Sequence, residues 1–438
     1  MLPVLLACAF GFVSILAYWL NRDLVSPVKL YLLTLLICFF DIFVTPYRLE
    51  ICCIYLGLLT IPLILSFYES SACGMYAGLV RKHSRSPSHR GSGTKAVVLL
   101  WTLTIIPIAS MTYLVVHFGG LADYLSQLPS RHLAFQGLNS FSELAINLIS
   151  LLTVLYFGIG IVEKRRTGFW LLYLLHFTIA FTILSMSGSR RSLLMPFIMI
   201  LALSHYFRSV ISVRRASLWL VSVLALTSIL GVLRIGQRGA ASFERNLSDV
   251  EQESITAHFK YGLVPLEVIF NVNVLNLRYG STFLAAATNV IPRPMWPGKP
   301  DSAGLAITQD YLGNRWLGAS NLNAGFIVES IMNFGFVIGI VFSFVGLVAA
   351  MAFITSRYHQ VMTVLHGNDR SIGAVFYLVR YLHLAIAVTS LPTWETAVVS
   401  VPLIINLTAI MCIERLLAAG SSPRRSAVKT QRALAASL

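Results

Sequence analysis

Apolar runs long enough to cross a hydrocarbon layer recur from residue 2 to residue 413 of this 438-residue chain. A bilayer core about 30 Å thick needs roughly 20 helical residues to span it. Inside that core each backbone polar group must be satisfied within its own segment, so repeated runs of this kind fold as helices. Composition agrees, with 56% of residues hydrophobic and 12% charged, against about 25% charged in soluble domains. The expected fold is an all-α polytopic membrane protein of about eleven transmembrane helices, at residues 2–20, 27–45, 51–67, 96–116, 144–162, 168–186, 193–207, 216–235, 325–354, 371–391 and 396–413. The whole chain, 1–438, reads as one integral membrane domain. The first run has no basic residue before it and no small-x-small cleavage site after it, so it reads as a retained span.

A net charge of +15 would fit nucleic acid if it formed one surface. Instead the cations cluster between apolar runs, as topology signals do, and no nucleic-acid partner is expected. Clusters at Arg22 and Lys29, 81–95, 164–166, 208–215, Arg357 with Arg370, and 415–432 all fall on one side, holding 20 of the 33 Lys and Arg residues. That side is read as cytoplasmic, with the N-terminus outside and residues 418–438 a flexible cytoplasmic tail. The long segment 236–324 then lies outside. Its stretches 262–277 and 281–291 are apolar but short or interrupted, as interfacial helices are. The six cysteines show no CxxC and no His spacing that would close a zinc site.

Cations on the outer side need a reason other than topology. The densest set lies in residues 289–300, where four prolines and a glycine surround Arg293, Trp296 and Lys299. Proline fixes φ and restricts its predecessor, so a stiff loop is expected to present these groups as an anion site; the plain alternative is a loop meeting lipid head groups. Arg190 and Arg191 lie in a Ser/Gly turn, 187–192, where paired guanidinium forks suit a phosphate or a lipid head group. Arg234 and Arg238, four residues apart, share a face at the outer end of the 216–235 span, a place the helix dipole also favours for structure alone. Arg380 and His383 sit inside a span, lining a passage or paired with Asp41. Asp301, Asp310, Glu329 and Glu395 are the outer carboxylates able to act as a general base. The chain has no P-loop, HExxH, GxSxG or DxD motif, so chemistry outside needs a substrate carrying its own leaving group.

These residues resemble those of the Wzy-type oligosaccharide repeat-unit polymerases, relatives of the O-antigen ligases. The likeness runs through residues 22–27, 118–122, 187–194, 279–283, 291–300 and 333–339, and most specifically through Pro-Arg-Pro-x-Trp-Pro-x-Lys-Pro. An Arg-x10-Gly pattern of that family fits Arg293 to Gly304. The resemblance implies a GT-C-like fold and a metal-independent, inverting glycosyltransferase with no cofactor, in the bacterial inner membrane. Its substrates would be undecaprenyl-pyrophosphate-linked oligosaccharides, with a chain-length co-polymerase and a flippase as conceivable partners. Arg293, Arg190, Arg191 and Glu329 are the expected catalytic groups, and Lys299, Arg234, Arg238, Trp296 and Asp301 the expected binding groups. A ligase acting on lipid A core, or a flippase for lipid-linked oligosaccharides, would be rival readings.

Overall fold

The computed structural model describes residues 2–70, 93–127, 138–163, 165, 167–187, 190–209, 211–219, 221–222, 262–289, 291, 295–312, 322–366 and 371–419. In chain order the helices are α1 Leu2–Leu20, α2 Pro27–Phe39, α3 Leu49–Ser70, α4 Gly93–His117, α5 Leu121–Gln127, α6 Asn139–Val162, α7 Thr167–Met186 and α8 Arg190–Phe207. They continue as α9 Val264–Asn271, α10 Ser281–Thr288, α11 Ala303–Tyr311, α12 Gly325–Phe334, α13 Phe336–His366, α14 Ile372–Ser390 and α15 Thr396–Ala419. Among the described residues eight helices are long and apolar enough to cross a membrane: α1, α3, α4, α6, α7, α13, α14 and α15.

α6 is the axle of the bundle. Residues 148–156 are all buried, because α4, α7, α8, α14 and α15 close around them. A helix apolar on every side is stable only in such a position. By contrast α1 and α7 keep rows of apolar side chains on the outside, including Phe12, Ile15, Leu171 and Leu175, as lipid-facing helices do. The ends of the helices define two faces. The near face carries residues 44–48, 391–395 and the described residues of 262–312; the far face carries residues 21–26 and the last turns of α3 and α8.

Two expected spans differ from what forms, and a third lies largely outside the described residues. The run 27–45 folds as the 13-residue α2 and a 3-10 turn at Phe40–Phe43, because Asp41 is buried there and accepts a 2.6 Å bond from the Tyr47 hydroxyl. The run 216–235 falls largely outside the described residues. The run 325–354 is not one helix: it breaks at Gly335, whose φ of 80° lies in the left-handed region. α12 and α13 then form an antiparallel hairpin. A Cβ on Gly339 would sit 2.5 Å from the Ser330 carbonyl oxygen, and one on Gly346 would sit 2.8 Å from the Phe326 ring. α13 has 31 residues, about 46 Å at 1.5 Å per residue, so it outlasts a core about 30 Å thick and α12 packs on the surplus.

Between α11 and α2 the near face is stitched together by polar contacts. Arg48 donates to the Phe270 carbonyl at 2.8 Å and to Asn271 Oδ1 at 2.9 Å, tying α9 to the α2–α3 turn. Arg278 forms a close ion pair with Asp310, and its N–H donates to the Met332 carbonyl at 2.8 Å. α9, α10 and α11 therefore form a layer over the hairpin, in the stretch expected to hold interfacial helices.

The hairpin predicts a local stability effect. Gly339→Ala forces a methyl onto backbone atoms of Ser330 and Ile331 and should cost about 1–3 kcal/mol, seen as a lower melting temperature in detergent. Gly11→Ala, where nothing lies within 4 Å, is the control and should melt with the parent chain.

Candidate functional site

Two carboxylates meet where the hairpin, the 391–395 turn and α11 come together. Glu329, on α12, is fully buried. Its Oε2 accepts the Thr396 N–H at 2.8 Å and its Oε1 accepts the Thr396 hydroxyl at 2.8 Å. Thr396 opens α15, so Glu329 caps a helix whose free N–H groups and dipole favour an anion. The Thr282 hydroxyl reaches the same carboxylate. That hydroxyl takes a 2.6 Å bond from Asn333 Nδ2, and Asn333 Oδ1 in turn accepts the Gly280 N–H at 2.8 Å.

Glu395, one residue before Thr396, caps the next helix along. Its Oε2 accepts the Gly304 N–H in a close hydrogen bond, and the Ser302 hydroxyl is a second partner. Gly304 is the second residue of α11. Here glycine is required by space: a Cβ would lie 2.4 Å from the Leu322 carbonyl oxygen and 3.1 Å from Glu395 Oε2. The turn carrying Glu395 is held by a second glycine of this kind. Gly325 has φ +66°, and a Cβ there would lie 2.6 Å from the Pro392 carbonyl oxygen, while Phe326 N–H donates to the Leu391 carbonyl at 2.9 Å. Burial raises the Glu395 carboxyl, the nearby Glu329 charge raises it further, and the Gly304 and Ser302 bonds only partly offset this. It is pushed up to about 7.

The proline-rich loop is clipped beside this pair. Lys299 Nζ donates to Asn289 Oδ1 at 3.2 Å and to the Ile291 carbonyl at 3.1 Å. Asn289 Nδ2 donates to the Ala397 carbonyl at 3.2 Å, so the Asn289 end is fastened to the first turn of α15 and Lys299 is fastened to Asn289. Lys299 thus spends two of its three donors on the loop itself. Arg293, between those ends, lies outside the described residues, as do Arg234 and Arg238. Trp296 is half-buried, with its carbonyl accepting the Lys299 N–H at 3.1 Å, and Asp301 is half-buried one residue before the Ser302 cap.

Other expected sites stand differently. α8 begins at Arg190, so Arg190 and Arg191 form its first helical turn and not a free Ser/Gly turn; their side chains lie outside the described residues. At the end of α7 the Ser187 hydroxyl donates to the Leu184 carbonyl and the Tyr124 hydroxyl donates to the Met186 carbonyl at 3.1 Å. Two cations at a helix N-terminus oppose the dipole, so helix stability does not account for them. Arg380 does not pair with Asp41: it forms a close ion pair with Glu414 of α15, a partner within reach because α14 and α15 pack together. His383 Nδ1 lies 2.8 Å from the Val379 carbonyl. Asp310 is committed to Arg278, which leaves Glu329 and Glu395 as the convergent pair. Sequence reading named both but could not join them, since 66 positions separate them and no spacing marks the contact. Among the described residues no group of three or more His, Cys, Asp or Glu side chains converges as metal ligands do. No known protein family, no curated protein and no solved structure matches this chain.

The raised Glu395 carboxyl makes stability depend on pH in an unusual direction. Its folded value lies above its ordinary 4.5, so the folded chain binds the extra proton between the two values. That stabilisation is full below about pH 4.5 and is lost as pH rises through about 7. The loss is on the order of 3 kcal/mol. Glu395→Gln keeps an acceptor for the Gly304 N–H and removes the charge, so it should melt above the parent chain at about pH 8 and with it at about pH 4.5. Parallel melting curves across that window would contradict the burial of an ionising carboxyl here.

Proposed function

We propose that this chain is a polysaccharide polymerase: an inverting glycosyltransferase that joins lipid-pyrophosphate-linked oligosaccharides on the outer face of a bacterial inner membrane. In this reading the near face is periplasmic, the far face is cytoplasmic, and residues 236–324 form the periplasmic loop of a GT-C-like fold of about eleven crossings. The observation that carries the reading is Glu395. It is a buried carboxyl titrating near neutrality, beside a clipped loop that carries the Arg293 guanidinium between two prolines. A general base works best when its pKa lies near the working pH. The sequence pattern shared with the repeat-unit polymerases supports the same class.

The chemistry follows from these groups. A hydroxyl of the acceptor glycan attacks the anomeric carbon of the donor; the new carbon–oxygen bond forms as the bond to the pyrophosphate oxygen breaks, with inversion. The hydroxyl proton passes to Glu395, which must enter the step as a carboxylate. Glu329, held by three donors, fixes the turn that carries Glu395, and its charge adds to burial in raising that carboxyl; in this reading the base role passes from Glu329 to Glu395. Charge develops on the leaving pyrophosphate, and Arg293 with Arg190 and Arg191 supplies fixed positive charge where it grows. The polyprenyl chains stay in membrane lipid.

Two outcomes test this. Arg293→Ala should abolish chain growth at normal protein level, and Arg293→Lys should leave only a small residue of activity, because Lys keeps the charge and loses the bidentate fork. A missing transition-state donor costs roughly 10²- to 10³-fold in rate. Glu395→Gln should fall by a similar factor. The readout is product ladder length against protein abundance; near-normal ladders from Arg293→Ala refute the assignment, and single-unit transfer to lipid A core would make the protein a ligase. Polymerisation by purified protein should also survive excess EDTA, and full loss restored by Mg²⁺ would overturn the arginine-based mechanism.

A further inference from the structure

Charge marks two levels along α13. Residues 336–355 carry no charged side chain, and Arg357 is the first. That stretch of about 20 residues measures about 30 Å, the thickness of a bilayer core. α3 repeats the pattern beside it, with residues 51–68 uncharged between Glu50 and Glu69. The two helices run in register: a Cβ on Gly57 would lie 2.6 Å from the Phe344 ring, and each residue stands eight positions past the start of its helix, Leu49 and Phe336. Contacts join the ends into levels. On the near side Arg48 donates to Asn271 and to the Phe270 carbonyl, and the Phe270 and Phe336 rings lie 5.3 Å apart. On the far side the Tyr358 hydroxyl, next to Arg357, donates to Asp23 at 2.6 Å, and Asn21 donates to Glu69 at 3.3 Å. Arg48 is exposed at the near level and Arg22 at the far one.

An exposed apolar row on α13 crosses the whole interval between these levels. Val337, Ile338, Val341 and Val345 are between 59% and 79% exposed, and Phe342, Val348 and Phe353 continue the row at helical spacing. By length alone the surplus of α13 stands beside α12. Charge moves it to the far end, residues 356–366, where Arg357 and Gln360 are exposed.

We propose that the row from Val337 to Val345 is covered by acyl chains of the near leaflet, so that the head groups lie at the level of Arg48 and Asn271 and α12 is a re-entrant helix standing inside the bilayer. Acyl chains are the occupant because the row continues without a break into the part of α13 that spans, and because none of its side chains can bond to water or to a polar partner. The 391–395 turn is then immersed. Phe326 N–H donates to the Leu391 carbonyl at 2.9 Å, and a Cβ on Gly346, ten positions into α13, would meet the Phe326 ring at 2.8 Å. That register sets the turn roughly 10–15 Å beneath the near head groups. Non-helical backbone is tolerated at such a depth only where protein or a water-lined cavity covers it, and here Gly304 of α11, Gly325 of α12 and Thr396 of α15 close upon it. The lipid contact holds whatever reaction the turn serves.

Fluorescence quenching on the full chain in nanodiscs reads this depth without any assay of activity. A bimane is placed on Val337→Cys or on Val348→Cys, and the signal from the parent chain's own thiols is subtracted. Two lipid probes are compared, a phosphatidylcholine with a nitroxide on its head group and one with the nitroxide midway along an acyl chain. The label at 348 should lose about twofold more emission to the mid-chain probe than to the head-group probe, and the label at 337 about twofold more to the head-group probe. If the bilayer instead began at the 391–395 turn, the label at 348 would be quenched most by the head-group probe, and the proposal fails. A label at 337 that neither lipid probe quenches, whether aqueous iodide reaches it or a second copy hides it, overturns the proposal as well. Ile338→Cys and Val345→Cys, on the same row, replace a variant that does not fold.

Discussion

Hydrocarbon offers no partner to a bare N–H or carbonyl, so every crossing segment is a helix and every helix end must find its own donors and acceptors. That constraint accounts for where polarity gathers in this molecule. Glu329 serves the start of α15, Glu395 the start of α11, and the Asp23 turn ties together four helix ends. Each anion sits where free N–H groups or hydroxyls already point. The polar clusters are thus consequences of how the bundle ends, and only afterwards places where chemistry can occur.

The long apolar runs were legible because length and hydropathy are local properties; seven of the expected crossings form as long apolar helices, and α13 takes up most of an eighth. The break at Gly335 was not, since an apolar run through Phe334 and Phe336 gives no sign that the glycine between them takes a positive φ. Nor was the shortness of α2, which depends on Asp41 meeting Tyr47. The outer carboxylates could be enumerated but not paired, because their contact is made by the hairpin. The Arg-x10-Gly spacing, weak as a pattern, ends at a glycine whose missing side chain lets Glu395 reach an amide. Asp23 lay in a stretch noted for resemblance, yet its partners Tyr206 and Tyr358 are 183 and 335 residues away, beyond any spacing argument.

The two near-face glutamates differ in how they are bonded. Glu329 is held by the Thr396 N–H, the Thr396 hydroxyl and the Thr282 hydroxyl; Glu395 has the Gly304 N–H and the Ser302 hydroxyl. Two like charges buried together cannot both ionise freely, and the Glu329 charge adds to burial in raising Glu395 to about 7. Pairs of titratable groups whose surroundings push them apart are the usual mark of separate acid–base duties. Here the difference arises from helix capping and from glycines that fit no larger residue.

Lys299 shows why a cation near a proposed anion site need not be its ligand. Its ammonium is taken up by Asn289 and Ile291, and Asn289 by Ala397. What these bonds achieve is closure: Lys299 is joined to Asn289, and Asn289 to the helix that begins next to Glu395. In the proposed reaction Lys299 is therefore a positioning residue: its bonds to Asn289 and Ile291 join the ends of the loop beside the start of α15, and bonds made in folding need not be made again on binding.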